Sequence, residues 1–104
     1  LSESMLSTPY DSPRKAAKRE LSKAEYAARV ELMSLDIRAT NLKADAAAER
    51  LHDAKTALGA DIESRELRSR LKQAQLEFAL AKIEVQRAEA ELQLFKAQHQ
   101  GASD

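Results

Sequence analysis

In the C-terminal half of the chain, Leu67, Leu71, Ala74, Phe78, Ala81, Val85, Ala88, Leu92 and Phe95 follow one another at alternating spacings of four and three. A strand would need period two. An α-helix of 3.6 residues per turn places such a series on a single stripe, which must be buried against another helix. Four uninterrupted heptads leave a long helix with a coiled-coil seam as the natural reading. Composition agrees. A third of the 104 residues are charged, only four are aromatic, and Gly and Pro together number four. Such a chain has few helix breakers and little bulk for a thick globular core.

The N-terminal half repeats the pattern less regularly, as Leu21, Ala28, Leu32, Leu35, Ala39, Leu42 and Ala46. Near Glu49 this register breaks, and an apolar row resumes at Ala47, Leu51, Ala54 and Leu58. A break of this kind implies a local change in supercoiling. Ser12-Pro13 is a helix start by its chemistry, with serine as the cap and proline at the first helical position. Gly59 is a stop signal, and Asp61 can cap a second helix.

The expected organisation is therefore a leader over 1–12, a helix over 13–58, a turn at 59–61, a helix over 61–98 and a tail over 99–104. The fold class is all-α: a long antiparallel two-helix coiled-coil hairpin, packed into a larger helical assembly. A reversal at Gly59 sets Leu42 against Phe78, Leu35 against Val85, Ala28 against Leu92 and Ala46 against Ala74. The seam is accordingly assigned to Leu35, Leu42, Leu71, Phe78, Val85, Leu92 and Phe95. One continuous helix through Gly59, dimerising along its length, is the competing architecture, since a mid-helix glycine costs only ~1 kcal/mol.

Each helix carries a second apolar row. On the first it is Tyr26, Val30, Met33 and Ile37. On the second it is Leu76, Leu80, Ile83, Ala90 and Leu94. With the leucine row in the seam, these point away from the partner helix, and continuous rows of large apolar residues call for a covering surface. Two different edges meeting head to tail imply an assembly larger than a dimer, or partner helices on both sides.

The chain is charge-balanced, with 17 basic and 17 acidic side chains. No net field draws it to nucleic acid or anionic lipid. The absence of cysteine excludes disulfides and thiolate metal sites. No apolar run reaches the ~18 residues of a membrane span.

Glu49-Arg-Leu-His52 matches half of a bundle-type di-metal motif, but Arg68 and Arg70 sit at the level where the other ligands belong. A solvated helix turn is the better reading, and His99 is read as a surface residue. Arg14, Lys15, Lys18, Arg19 and Lys23 open the first helix as a basic cluster, but acidic residues follow and no aromatics interleave. A second cluster, Arg65, Arg68, Arg70 and Lys72, lies at the opposite end. Ser12-Pro13-Arg14-Lys15 and, more weakly, Thr8-Pro9 have the form of proline-directed kinase sites. No nucleophile–base pair, phosphate loop or convergent titratable set is visible, and a two-helix seam has no room for a water-excluding pocket. Catalytic, cofactor and metal sites are therefore expected to be absent.

Leu58-Gly-Ala-Asp-Ile-Glu-Ser-Arg-Glu-Leu67, followed by alanine-spaced heptads, resembles the tip of the α-helical hairpin in periplasmic adaptor proteins of bacterial efflux and secretion systems. The likeness covers roughly 42–94 and implies a transport or secretion component. The reading from the residues themselves is a non-enzymatic interaction module that binds protein, either copies of itself or other helices. A regulatory or nucleic-acid-associated coiled coil is the third reading.

Overall fold

The computed structural model describes residues 21–99, which form two α-helices and, among these residues, no strand. The first helix, α1, spans Lys23–Ala60, and the second, α2, spans Arg65–Gln98. Their lengths correspond to about 57 and 51 Å. They run back along each other as a hairpin: Tyr26 near the start of α1 meets Phe95 near the end of α2, and Arg50 meets Glu77 nearer the turn.

The start of α1 is fixed locally. Leu21 and Ser22 are not helical, and Ser22 is the N-cap. The Ser22 hydroxyl accepts from the Glu25 backbone N–H at 3.1 Å, and Glu25 Oε1 accepts from the Ser22 N–H at 2.9 Å. This reciprocal pair satisfies two otherwise orphaned donors and puts negative charge at the positive end of the helix. The cap interrupts the single helix expected from Pro13. Ser12-Pro13, Thr8-Pro9 and the cluster Arg14–Arg19 lie outside the described residues.

Gly59 is not the turn. It is helical, it has no positive φ, and α1 continues through Ala60. The reversal is made by Asp61–Ser64. The Asp61 N–H donates to Leu58 O, and the Ser64 N–H donates to Asp61 O at 3.1 Å. Ser64 then caps α2, its hydroxyl accepting from the Leu67 N–H at 3.1 Å. Arg68 Nη1 reaches back to Ile62 O at 3.0 Å and holds the connection down. A serine cap with both neighbouring carbonyls satisfied closes a turn without needing a left-handed glycine.

Moving the reversal toward Ile62 also rotates α1. The face of α1 that meets α2 is Tyr26, Val30, Met33, Ile37, Thr40, Ala44, Ala47, Leu51, Ala54 and Leu58, all buried or half-buried. The spacing alternates four and three without a break over the whole helix, so no register shift occurs near Glu49. Ala44, Ala47 and Ala81 are buried together, with Phe78 and Val85 packed against them. Alanine layers of this kind allow two helices to approach closely. Thr40 lies in the same face, and its hydroxyl donates to Ile37 O at 2.9 Å, which removes the cost of placing it there. The inward face of α2 is the series from Leu67 to Phe95, in which Ala74, Ala81, Leu92 and Phe95 are the most deeply buried.

The seam assigned to α1 from the leucines is therefore corrected. Leu35 and Leu42 are 44% and 63% exposed and point away from α2, as does Leu32. Conversely, Tyr26, Val30, Met33 and Ile37, assigned to an outer partner surface, are half-buried in the hairpin itself. The physical reason is continuity. The tyrosine-to-leucine row matches the row of α2 along the full length, whereas the leucine row stops at Glu49.

Candidate functional site

With the seam rotated, the apolar residues left in water fall into two rows. On α1 they are Ala28, Leu32, Leu35, Ala39 and Leu42. On α2 they are Leu76, Leu80, Ile83, Ala90 and Leu94. The α1 row alternates four and three, like the seam; the α2 row does the same except that Arg87 stands between Ile83 and Ala90, and both lie on the backs of their helices. In heptad geometry each is displaced about 25° from the direction opposite the seam. Both displacements go toward the side of the hairpin that carries Arg50 and Glu77.

The rows are confined to the two-thirds of the hairpin farther from the turn. Nearer the turn the corresponding backs carry Glu49, Asp53 and Thr56 on α1 and Glu66, Ser69 and Gln73 on α2. Seven large apolar side chains, Leu32, Leu35, Leu42, Leu76, Leu80, Ile83 and Leu94, are exposed over this stretch. The hairpin thus has one polar end and one end where each helix is apolar on two faces. Ile62, in the turn, is also exposed.

The flanks of these rows carry the charge pattern. Between seam and outer row, α1 bears Arg29, Asp36 and Lys43, and α2 bears Glu77, Glu84 and Glu91. Arg50 Nε and Glu77 Oε1 are 3.6 Å apart across the seam, an exposed pair of small energetic weight. Arg29 lies over the Phe95 ring, 5.7 Å from its centroid, and Lys82 over that of Phe78 at 5.3 Å. Neither Glu84 nor Glu91 has an ion-pair partner among the described residues.

At the open end an aromatic cluster closes the seam. Tyr26 stacks on Phe95 with ring centroids 5.4 Å apart, and His99 tilts against Phe95 at 4.4 Å. His99, read from sequence as a surface residue, is therefore half-buried as part of the cap on the seam.

Toward the turn, an open groove of about 420 Å³ runs along one side of the hairpin. Its floor is Ala54, Ala57, Leu67 and Ala74, and its rim includes Arg50, Arg70 and Glu77. Small side chains at the floor leave this space. Arg70 is held by Glu66 of its own helix at 2.7 Å. The groove is lined by no histidine or hydroxyl nucleophile.

Glu49 and His52 are both exposed, and no group of three or more metal-binding side chains converges among the described residues. Of the basic residues near the turn, Arg68 and Arg70 are engaged with Ile62 O and Glu66. No helix among the described residues is long and apolar enough to cross a membrane. No protein-family model matches the chain, and no curated protein and no solved structure is significantly similar to it.

Proposed function

We propose that the chain is a non-enzymatic interaction module: a helical hairpin that uses the backs of both helices, over the two-thirds farther from the turn, to pack against other helices in a larger coiled-coil assembly. The observation that carries this reading is the pair of exposed heptad rows, Leu32, Leu35 and Leu42 on α1 and Leu76, Leu80, Ile83 and Leu94 on α2. Scattered exposed leucines are ordinary. Two rows in register with the helical repeat and at the same level are what a helix needs in order to bury a second face.

Two double variants test the reading, Leu35→Glu with Leu42→Glu and, separately, Leu80→Glu with Ile83→Glu. Association is followed by sedimentation of the chain itself and by binding of a labelled synthetic helix with leucine at its a and d positions. The wild type is expected to associate in at least one assay, and each variant to lose that association while keeping its helical circular dichroism. Variants indistinguishable from wild type in both assays would overturn the role of the outer rows.

A further inference from the structure

We infer that the surface covering the outer row of α1 is the outer row of α2 from a second copy of this chain, antiparallel and at the same level, so that copies stand side by side with their turns at the same end. This rests on the interaction role proposed above and specifies the partner. Three features of the rows carry it.

The first is register. The rows occupy the same level of the hairpin, and side-by-side alignment brings Ala46 against Leu76, Leu42 against Leu80, Ala39 against Ile83, Leu32 against Ala90 and Ala28 against Leu94. Four of these five layers pair a small residue with a large one, the alternation that lets facing helices interdigitate. The sixth layer sets Leu35 against Arg87, whose aliphatic stem can lie on the leucine while its charge stays in water.

The second is charge. In this register Arg29 faces Glu91 and Lys43 faces Glu77, two opposite-charge contacts against one like-charge contact, Asp36 with Glu84. The twofold alternatives fare worse. Two α2 rows packed on each other would oppose Glu77 with Glu91 and Glu84 with its own copy. Two α1 rows would oppose Arg29 with Lys43, Asp36 with Asp36, Glu31 with Asp45 and Arg38 with Arg38. Facing like charges select against a pairing even where the apolar row is self-complementary. With the two rows fully overlapped, the α1–α2 contact is the antiparallel pairing that the flanking charges favour.

The third is geometry. A contact between two different surfaces repeats from copy to copy and closes into a ring or continues. Both rows lean toward the side of Arg50 and Glu77, so successive hairpins are rotated in one sense, with that side innermost. The lean favours closure.

The chain has no cysteine, so single cysteines report these contacts directly. Leu42→Cys and Leu80→Cys are made separately in the full chain and oxidised alone and mixed at concentrations where the wild type associates. Mixed samples are expected to cross-link at least fivefold more than either variant alone. Glu84→Lys, which removes the one like-charge contact, is expected to tighten association by roughly two- to fivefold, and Glu91→Lys to weaken it by a similar factor. Self-cross-linking of either single variant as the dominant product would overturn the head-to-tail contact while leaving the docking role in place. Association with no cross-link in any sample would do the same. A wild-type chain monomeric at millimolar concentration would overturn the second copy as the partner, and binding of the synthetic leucine helix would then decide the docking role by itself.

Discussion

The rotation of α1 predicts an energetic coupling between Tyr26 and Phe95 that no seam built on Leu35 and Leu42 would produce. Phe95 is 7% exposed, with Tyr26 stacked on it and His99 tilted against it. Truncation to alanine removes about 150 Å² of buried aromatic surface. At ~25 cal/mol per Å² this is worth at most about 4 kcal/mol. The site lies near the open end of the hairpin, where water can fill part of the space, so about 2–3 kcal/mol is expected. Tyr26 is only half-buried, and Tyr26→Ala should cost about 1–2 kcal/mol. In a double-mutant cycle the stacked pair should show a coupling of about 0.5–1.5 kcal/mol, the double variant losing less than the two singles together. Urea unfolding of all four proteins, at one dilution low enough to suppress association, measures it. Strictly additive losses would refute the α1 face described above. A Leu35–Val85 cycle supplies the counter-test, and its coupling should be zero within error.

Four further substitutions probe the same architecture. Gly59→Ala should stabilise the hairpin by about 0.5–1 kcal/mol in thermal unfolding, because Gly59 is helical and an added Cβ meets nothing within 4 Å; a loss of stability would return Gly59 to the turn. Ala47→Leu should destabilise by roughly 1–3 kcal/mol, because Ala47 is 2% exposed between the helices, while Leu42→Ala in dilute protein should change stability by no more than ~0.5 kcal/mol; the reverse order would restore the leucine seam. Ser64→Ala should cost about 1 kcal/mol by freeing the Leu67 N–H, and an unchanged denaturation midpoint would show that the cap contributes nothing.

How much could be read from the residues alone differs sharply between the two helices. On α2 the inward row contains the large residues Phe78, Val85, Leu92 and Phe95 and runs without interruption, so size and period point the same way. On α1 they conflict. All three leucines between 23 and 50, at 32, 35 and 42, fall in one row, yet that row ends at Glu49. The row that is buried includes Thr40, Ala44 and Ala47, which look unpromising one by one. Its signal was the unbroken alternation from Tyr26 to Leu58, and the register break near Glu49 marked the wrong choice of row. The turn was misplaced for a related reason. Glycine is the commonest stop signal, but Ser22 with Glu25 and Ser64 with Leu67 show that serine caps set both helix starts here. The exposure of Leu76, Leu80, Ile83 and Leu94 follows from the α2 period; its counterpart on α1 does not, because residue size alone favours the wrong α1 row.

The thinness of the seam links folding to assembly. Among the described residues the buried core is Ala44, Ala47, Ala74, Ala81, Leu92 and Phe95, four of them alanines, and a single exposed ion pair crosses the interface. A layer one side chain deep leaves each helix stabilised from one side only. A partner bound only to the folded state adds RT ln(1 + [L]/Kd), about 2.7 kcal/mol at a hundred times Kd against about 0.4 at Kd itself. For a domain of this size each kcal/mol moves the melting midpoint by about 4–8 °C. Raising the concentration from Kd to a hundredfold above it should therefore raise Tm by roughly 10 °C or more if copies dock through the outer rows. The Leu35→Glu, Leu42→Glu double variant separates this from nonspecific effects. Its changes lie on exposed positions, so it should melt close to the dilute wild type and stay there at every concentration. Gly59→Ala should shift the whole wild-type curve upward without changing its slope, since it stabilises α1 away from the rows. A wild-type midpoint that does not move with concentration, in samples that sedimentation shows to be associated, would mean that the contacts form elsewhere on the chain and that the outer rows are not what holds the copies together.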